Sequence, residues 1–148
     1  MKSGDALSLP FDQYQRYRLV ADLLVGLRGK GPKLSVLDVG GRTALLRGFL
    51  PDDRITLVDV EASSESGLVL GDGSALPFKE GAFDVVCAFD TLEHIPKKFR
   101  GRFVRECRRV ARKWVVLAGP YHTARVAQAE QLLKRFLKDK LAVRHRYL

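Results

Sequence analysis

The chain contains 148 residues, of which 46% are hydrophobic and 29% are charged, and its formal net charge is +9. This length suits one domain, and the composition is that of a globular protein rather than a disordered or fibrous one. No apolar stretch is long enough to span a membrane, and the first residues lack a secretory signal, so we expect a cytoplasmic protein. Two cysteines exclude a disulfide framework, and no Cys/His cluster has the spacing of a metal site, so none is expected.

Apolar runs typical of buried strands alternate along the chain with stretches of helical period. Strands that are apolar throughout and separated by helices indicate a parallel sheet covered on both faces. Right-handed crossovers then predict an open, doubly wound α/β sheet. The predicted elements, in chain order, are a helix over Phe11–Arg28, a strand over Leu34–Val39, a helix over Thr43–Leu50, strands over Ile55–Val60, Leu68–Leu70 and Phe83–Phe89, a helix over Lys97–Arg112, a strand over Trp114–Ala118 and a helix over Thr123–Leu141.

Acidic residues recur at the ends of four predicted strands, at Asp38, Asp59, Asp72 and Asp90. In an open α/β sheet, ligands bind beyond the carboxyl ends of the strands. Aspartate is also common in turns, so a purely structural role is an equal alternative for each of these residues taken alone. Their recurrence at one edge of the sheet predicts a ligand site there.

The spacing of Asp59 predicts a nucleoside-type ligand. Asp59 lies 19 residues after Gly40, a distance at which a carboxylate reaches ribose hydroxyls in dinucleotide-binding folds. The turn at Gly40 and Gly41 frees backbone N–H groups for an anionic ligand group. However, the stretch that follows fails the G-x-G-x-x-G fingerprint, and Asp38 would repel a pyrophosphate. A ligand that carries an ammonium and a sulfonium group suits Asp38 better.

Four motifs in order resemble class I S-adenosylmethionine-dependent methyltransferases, of the type found in ubiquinone and menaquinone biosynthesis. The motifs are Val36–Gly41, Leu57–Val60, Gly71–Phe78 and Phe83–Pro96, and the resemblance extends from about residue 34 to residue 120. It implies a Rossmann-like, mostly parallel sheet with strand order 3-2-1-4-5. It also implies S-adenosylmethionine as cofactor and methyl transfer to an acceptor that the sequence does not identify.

The resemblance also implies roles for the matching positions, all at the carboxyl ends of strands. Phe89 and Asp90 would border the methyl group and the acceptor. Gly40 and Gly41 would lie at the methionine part of the cofactor, with Asp38 near its amine. Asp59 would bind the ribose, with Val60 beside it. Asp72 and Gly73 would bind the adenine.

Two residues depart from the G-x-G-x-G pattern of the family, because Arg42 and Ala44 stand where later glycines are usual. Arg42 either pairs with the carboxylate of the cofactor or points into solvent, and the sequence leaves both alternatives open. Ala44 fits if the backbone there is helical. His94 is the candidate catalytic residue, with a hydrogen bond that fixes its loop as the alternative.

The charge is concentrated in residues 97–148, which hold 16 lysines and arginines against 3 acidic residues. Most of these cations fit solvated helix faces, but such a basic half also fits RNA binding. A small-molecule acceptor is therefore expected, and an RNA-directed methyltransferase is an alternative.

The predicted organisation is a single domain with a leading helix in residues 1–30, a cofactor-binding core in 34–120 and a basic C-terminal helix in 121–148. The chain ends after its last helix, so the sheet is shortened at the C-terminus relative to the family. One sheet edge would then be exposed, which predicts a homodimer through that edge. A shortened, non-catalytic cofactor-binding domain is the remaining alternative.

Overall fold

The computed structural model describes residues 9–119 and 123–141, and it contains a five-stranded sheet of order β3-β2-β1-β4-β5. All neighbouring strands are parallel. The doubly wound sheet and its strand order are therefore confirmed. The elements are α1 (Phe11–Arg28), β1 (Ser35–Val39), α2 (Leu45–Phe49), β2 (Arg54–Asp59), β3 (Leu68–Leu70), β4 (Phe83–Phe89), a 3₁₀ turn (Leu92–His94), α3 (Lys97–Val110), β5 (Ala111–Ala118) and α4 (Ala124–Leu141).

Helices cover both faces of the sheet, and each face has its own hydrophobic core. Helices α1 and α2 pack on one face, around the fully buried Leu24 and Leu46. Helix α3 packs on the other face through Phe103, Cys107 and Val110, which are also fully buried. Strand β4 is buried along its whole length, which explains why its sequence is apolar on both faces. None of the helices in the described part of the chain is long and apolar enough to cross a bilayer.

Both cysteines are core thiols. Cys87 lies in β4 and Cys107 on the buried side of α3, and neither side chain is exposed. Burial raises the pKa of Cys107 to about 12 and raises the pKa of Cys87 as well. Both groups are therefore protonated at neutral pH and are unsuited to act as nucleophiles.

The leading helix α1 is anchored by aromatic packing. The Tyr17 ring stacks on Phe89 at the end of β4, with 4.6 Å between centroids, and on Phe49 of α2 at 5.8 Å. Tyr14 makes a tilted contact with the same Phe49 ring. Burial, followed by the charge of Asp38, raises the pKa of Tyr17 to about 12. Helix α1 therefore fixes the end of β4 from one face of the sheet.

Helix α2 begins two residues later than predicted. Ala44 has φ 53° and ψ 18°, which is the left-handed conformation, so the expectation of a helical backbone at Ala44 is wrong. Helix α2 starts only at Leu45 for this reason. The left-handed conformation is the one that glycine adopts without penalty, which accounts for the glycine that is usual at this position in the family.

The boundary between α3 and β5 also differs from the prediction. The helix was expected to continue to Arg112, but Ala111 is extended and pairs with Phe83 of β4. The side chain of Arg112 then donates to the carbonyl of Gly81, and both Arg112 and Lys113 lie near the carboxylate of Asp84. Strand pairing and these contacts outweigh the helical propensity of the segment.

Candidate functional site

A cavity of about 550 Å³ lies at the carboxyl ends of β1, β2 and β4. It borders the loops that follow β1, β2, β3 and β4, and Phe103 of α3 closes part of its floor. Nine of the eleven residues predicted for the site line this cavity. They are Gly40, Arg42, Asp59, Val60, Asp72, Gly73, Phe89, Asp90 and His94.

The other two predicted residues, Asp38 and Gly41, lie beneath the cavity rather than in its wall. Asp38 is only 1% exposed, and its Oδ2 has no hydrogen-bond partner among the described residues. A Cβ atom added to Gly41 would lie 2.5 Å from that oxygen, so the carboxylate packs directly against the glycine turn. Burial, followed by the charge of Asp59, raises the pKa of Asp38 to about 7.

This buried carboxyl group makes folding stability depend on pH. The folded chain holds a proton on Asp38 that the unfolded chain loses above about pH 4, so this group destabilises the fold as pH rises from about 4 to about 7. The expected loss is about 4 kcal/mol in the free energy of unfolding. Asp38→Asn should remove this slope in urea denaturation between pH 4 and pH 8. Asp52→Asn, at an exposed position, should keep the slope, and an unchanged slope in Asp38→Asn would contradict the assignment.

The turn after β1 leaves no space for a side chain at Gly40. Gly40 has φ 83°, and its N–H donates to the carbonyl of Val58 at 2.8 Å. An added Cβ atom would lie 2.4 Å from the hydroxyl oxygen of Thr91. That hydroxyl lies 3.1 Å from the carbonyl oxygen of Val39 and 2.9 Å from that of Phe89, and these two acceptors share its single proton. Thr91 therefore ties the end of β1 to the end of β4.

At the end of β2, Asp59 is held by its neighbours and still faces the cavity. Its Oδ1 accepts a hydrogen bond from the backbone N–H of Glu61 at 2.9 Å, and its carbonyl accepts from Gly71 at 2.9 Å. A carboxylate has about four lone-pair sites, so further acceptor capacity remains for a ligand. Arg42 forms an ion pair with Glu61 across the cavity rim. The Arg42 side chain is 48% exposed, and both alternatives stated from the sequence stay predictions.

The loop after β3 is shaped by helix α3. Asp72 accepts a hydrogen bond from the backbone of Ser74 at 2.7 Å, which closes a tight turn. A Cβ atom added to Gly73 would lie 2.5 Å from the Phe103 ring, so the backbone here lies directly on that ring. Further along, Glu106 accepts from the N–H of Leu76 at 2.9 Å.

Arg109 supports the same loop from α3. It donates to the carbonyls of Leu76 and Phe78 at 3.0 and 2.8 Å and pairs with Glu106 at 2.6 Å. Hydrogen bonding to Arg109 lowers the pKa of Glu106, so this pair is charged at neutral pH. The loop that carries Asp72 is therefore anchored in the layer below the cavity.

After β4, Asp90 and His94 also line the cavity. Asp90 has φ 47° and forms an ion pair with Arg16 of α1, which partly neutralises its charge. His94 ends the 3₁₀ turn and is exposed at the cavity mouth. His122, four residues after the end of β5 in the sequence, lies outside the described residues. No cluster of three or more potential metal ligands occurs within residues 9–119 and 123–141.

Seven further residues line the cavity and were not singled out as site residues from the sequence. They are Val39, Val58, Glu61, Gly71, Thr91, Ile95 and Phe103. Five of them lie inside the four motifs, where nothing in the sequence separates them from their neighbours. Glu61 directly follows the second motif, and Phe103 fits the apolar stripe of its helix, so neither carries a separate signal.

A family model decides the class of this domain. The model for the Methyltransferase domain matches residues 37–118, which is more than half of the chain. The chain belongs to this methyltransferase family. The matched segment runs from β1 to the end of β5 and so includes every strand end at the cavity. The resemblance stated from the sequence motifs is confirmed.

Solved structures share the fold of this methyltransferase domain. The PH0226 protein of Pyrococcus horikoshii is 19% identical over 82% of this chain, with a TM-score of 0.58. A candidate S-adenosylmethionine-dependent methyltransferase from Methanococcus maripaludis is 11% identical over 86% of this chain, with a TM-score of 0.53. The 1,6-didemethyltoxoflavin-N1-methyltransferase of Burkholderia thailandensis, solved with bound 1,6-didemethyltoxoflavin and S-adenosylhomocysteine, is 25% identical over 66% of this chain, with a TM-score of 0.52.

The methyltransferase domain is shorter than these structures. It spans 64%, 65% and 48% of the Pyrococcus, Methanococcus and Burkholderia chains, respectively. Comparison with curated proteins finds no matching sequence. The family model shows the family, and the solved structures show the fold.

Proposed function

We propose that this methyltransferase domain binds S-adenosylmethionine in the cavity and transfers its methyl group to a small-molecule acceptor. One observation carries the proposal: the carboxylates of Asp59 and Asp72 line one cavity beside a glycine turn. Acidic groups at the ends of β2 and β3 provide hydrogen-bond acceptors for ribose hydroxyls and for an adenine amino group. The bound S-adenosylhomocysteine of the Burkholderia relative supports the same cofactor class.

The residues present fit this cofactor. In the proposal, Asp59 accepts from the ribose, with Val60 beside it, and Asp72 and Gly73 hold the adenine. Gly40 faces the methionine part. The buried carboxyl of Asp38 lies under the same turn, and its unpartnered oxygen favours a nearby ammonium group.

The cofactor and the protein make different contributions to methyl transfer. S-adenosylmethionine supplies an activated methyl group, and the chain supplies position and electrostatics, so no protein nucleophile is required. A base is needed only for an acceptor that must lose a proton. The Asp90 carboxylate is paired with Arg16, whereas His94 presents an imidazole at the cavity mouth. We therefore assign the proton-accepting role to His94.

The hydrogen bonds of α3 support a small-molecule acceptor over RNA. Several cations near this helix are occupied within the protein, since their donors bind backbone carbonyls or carboxylates. These are Arg100, Arg108, Arg109, Arg112 and Lys113. Arg125 and Arg135 of α4 are exposed, while the side chains of Lys134, Lys138 and Lys140 lie outside the described residues. The surface available to a phosphate backbone is smaller than the charge count indicates.

A second candidate is a non-catalytic cofactor-binding domain. The departures of Arg42 and Ala44 from the glycine pattern of the family favour it.

A homodimer through the β5 edge also stays a prediction. Strand β5 pairs only with β4 among the described strands, and light scattering of the purified chain tests for a dimer.

The two free, buried thiols support the proposed cytoplasmic location.

Calorimetric titration tests the cofactor. S-adenosylmethionine and S-adenosylhomocysteine should each bind once with micromolar Kd, whereas NAD should not bind, because the turn lacks a pyrophosphate cradle. A folded chain that binds neither sulfur ligand would contradict the proposal.

Methyl-labelled S-adenosylmethionine then tests the acceptor. The chain and the labelled cofactor are incubated with a metabolite extract and, separately, with total RNA. Label in the small-molecule fraction supports the proposal, and label in RNA supports the alternative acceptor. Cofactor binding with no label in either fraction favours the non-catalytic domain.

A further inference from the structure

The segment after β4 brings His94 to the cavity, but its own backbone hydrogen bonds are long. The N–H of His94 donates to Thr91 at 3.1 Å, and the N–H of Ile95 donates to Leu92 at 3.3 Å. Bonds in a 3₁₀ turn have poorer geometry than those of an α-helix, and typical N–H···O distances are about 2.9–3.0 Å. The turn therefore needs another support to hold one conformation.

Arg100 provides this support from the first turn of α3. Its Nε donates to the carbonyl of Ile95 at 2.9 Å, and its Nη2 donates to the carbonyl of Glu93 at 2.9 Å. These two carbonyls belong to the residues on either side of His94. The planar guanidinium can hold both at once, which a lysine ammonium cannot do with the same geometry.

The position of Arg100 in its helix is unfavourable for helix stability alone. The first turn of α3 contains Lys97, Lys98 and Arg100 and no acidic residue. Cations at a helix N-terminus are destabilised by the helix dipole. The two hydrogen bonds to the carbonyls offset this unfavourable interaction with the dipole. Arg100 therefore stabilises the turn rather than α3.

The supported turn forms a wall between two cavities. A smaller cavity of about 240 Å³ lies on its other side, next to the end of β5. Thr91, His94 and Ile95 line the large cavity, whereas Leu92, Glu93 and Arg100 line the small one. A movement of this turn would therefore move His94 relative to the large cavity.

We propose that Arg100 is a positioning residue that holds the turn over Leu92–His94 and so fixes where His94 stands at the cavity. The inference rests on the proposed function for the role of His94. The placement of the turn is independent of that function and can be measured on its own.

Nuclear magnetic resonance of the whole chain tests the proposal in Arg100→Lys and Arg100→Gln. The readouts are the His94 Cε1–H cross-peak, assigned with His94→Gln, and the amide exchange rates of His94 and Ile95. Arg105→Gln is the matched control, since it removes one charge from the same helix, and Arg105 makes no hydrogen bond or ion pair within the described structure. Calorimetry with S-adenosylhomocysteine accompanies each variant.

In both Arg100 variants, we expect the amides of His94 and Ile95 to exchange at least tenfold faster. We also expect the His94 cross-peak to shift and broaden. Their Kd for S-adenosylhomocysteine should stay within about threefold of the parent, and Arg105→Gln should match the parent throughout. Parent-like exchange and an unshifted His94 cross-peak in both Arg100 variants would overturn the proposal. Absence of ligand binding by the parent chain would instead overturn the proposed function, and the exchange data would still decide the role of Arg100.

Discussion

Asp59→Ala should weaken binding of S-adenosylhomocysteine at least 100-fold while leaving the chain folded. In the proposed site, the Asp59 carboxylate accepts hydrogen bonds from both ribose hydroxyls. Hydrogen bonds to a charged group contribute about 1.5–3 kcal/mol each, and about 2.7 kcal/mol already corresponds to a hundredfold change in Kd. Within the protein, the substitution removes only the contact with the N–H of Glu61. Calorimetric titration measures the change.

Two further variants distinguish the loss of the Asp59 carboxylate from the loss of a negative charge elsewhere on the protein. Asp59→Asn keeps one acceptor oxygen and should lose less affinity than Asp59→Ala. Asp52→Ala removes an exposed carboxylate outside the cavity and should bind as the parent does. If Asp59→Ala bound S-adenosylhomocysteine as tightly as Asp52→Ala, the cofactor would not contact the end of β2, and the proposed site would be wrong.

Gly40→Ala should lower the free energy of unfolding by about 2–3 kcal/mol and abolish cofactor binding. The φ of 83° at Gly40 penalises any Cβ atom, at about 1–2 kcal/mol for a left-handed residue. The new methyl group would also meet the Thr91 hydroxyl at 2.4 Å and displace it from its carbonyl partners, at about 1 kcal/mol. Urea denaturation measures the loss, and calorimetry measures the binding.

The helical Gly26 offers a matched control. A Cβ atom there meets no atom within 4 Å, so Gly26→Ala should stabilise the chain by up to about 1 kcal/mol through helix propensity. Combining Gly40→Ala with Thr91→Ala should recover the steric part of the loss but not the backbone part. A Gly40→Ala variant as stable as the parent would show that the turn after β1 is not built as described.

Most of the fold could be predicted because clear signals mark its boundaries. Helix α1 follows Pro10 and ends before Gly29, and its predicted limits are those observed. Strands β3 and β4 were also predicted with their observed limits, since turn residues flank their apolar runs. The start of β5 was missed because Arg112 and Lys113 continue a helical charge pattern. Only the pairing of Ala111 and Trp114 with β4, on either side of them, places them in a strand.

Only those parts of the site that depend on single residues could be predicted from the sequence. Acidic residues at strand ends are visible in the sequence, so Asp59 and Asp72 were found. The burial of Asp38 beneath Gly41, by contrast, depends on how the turn folds back over the end of β1. Contacts between layers, such as Phe103 under Gly73 and Arg100 on the turn after β4, require the packed structure. Their residues fit ordinary helix patterns and carry no separate signal.

A crystal structure of the chain with S-adenosylhomocysteine tests directly whether the cofactor binds at the carboxyl ends of β1, β2, β3 and β4. The ribose hydroxyls should lie within hydrogen-bond distance of Asp59, the adenine beside Asp72 and Gly73, and the amino acid part at Gly40. Ligand density away from this cavity, or an empty cavity in crystals grown at saturating ligand, would contradict this placement.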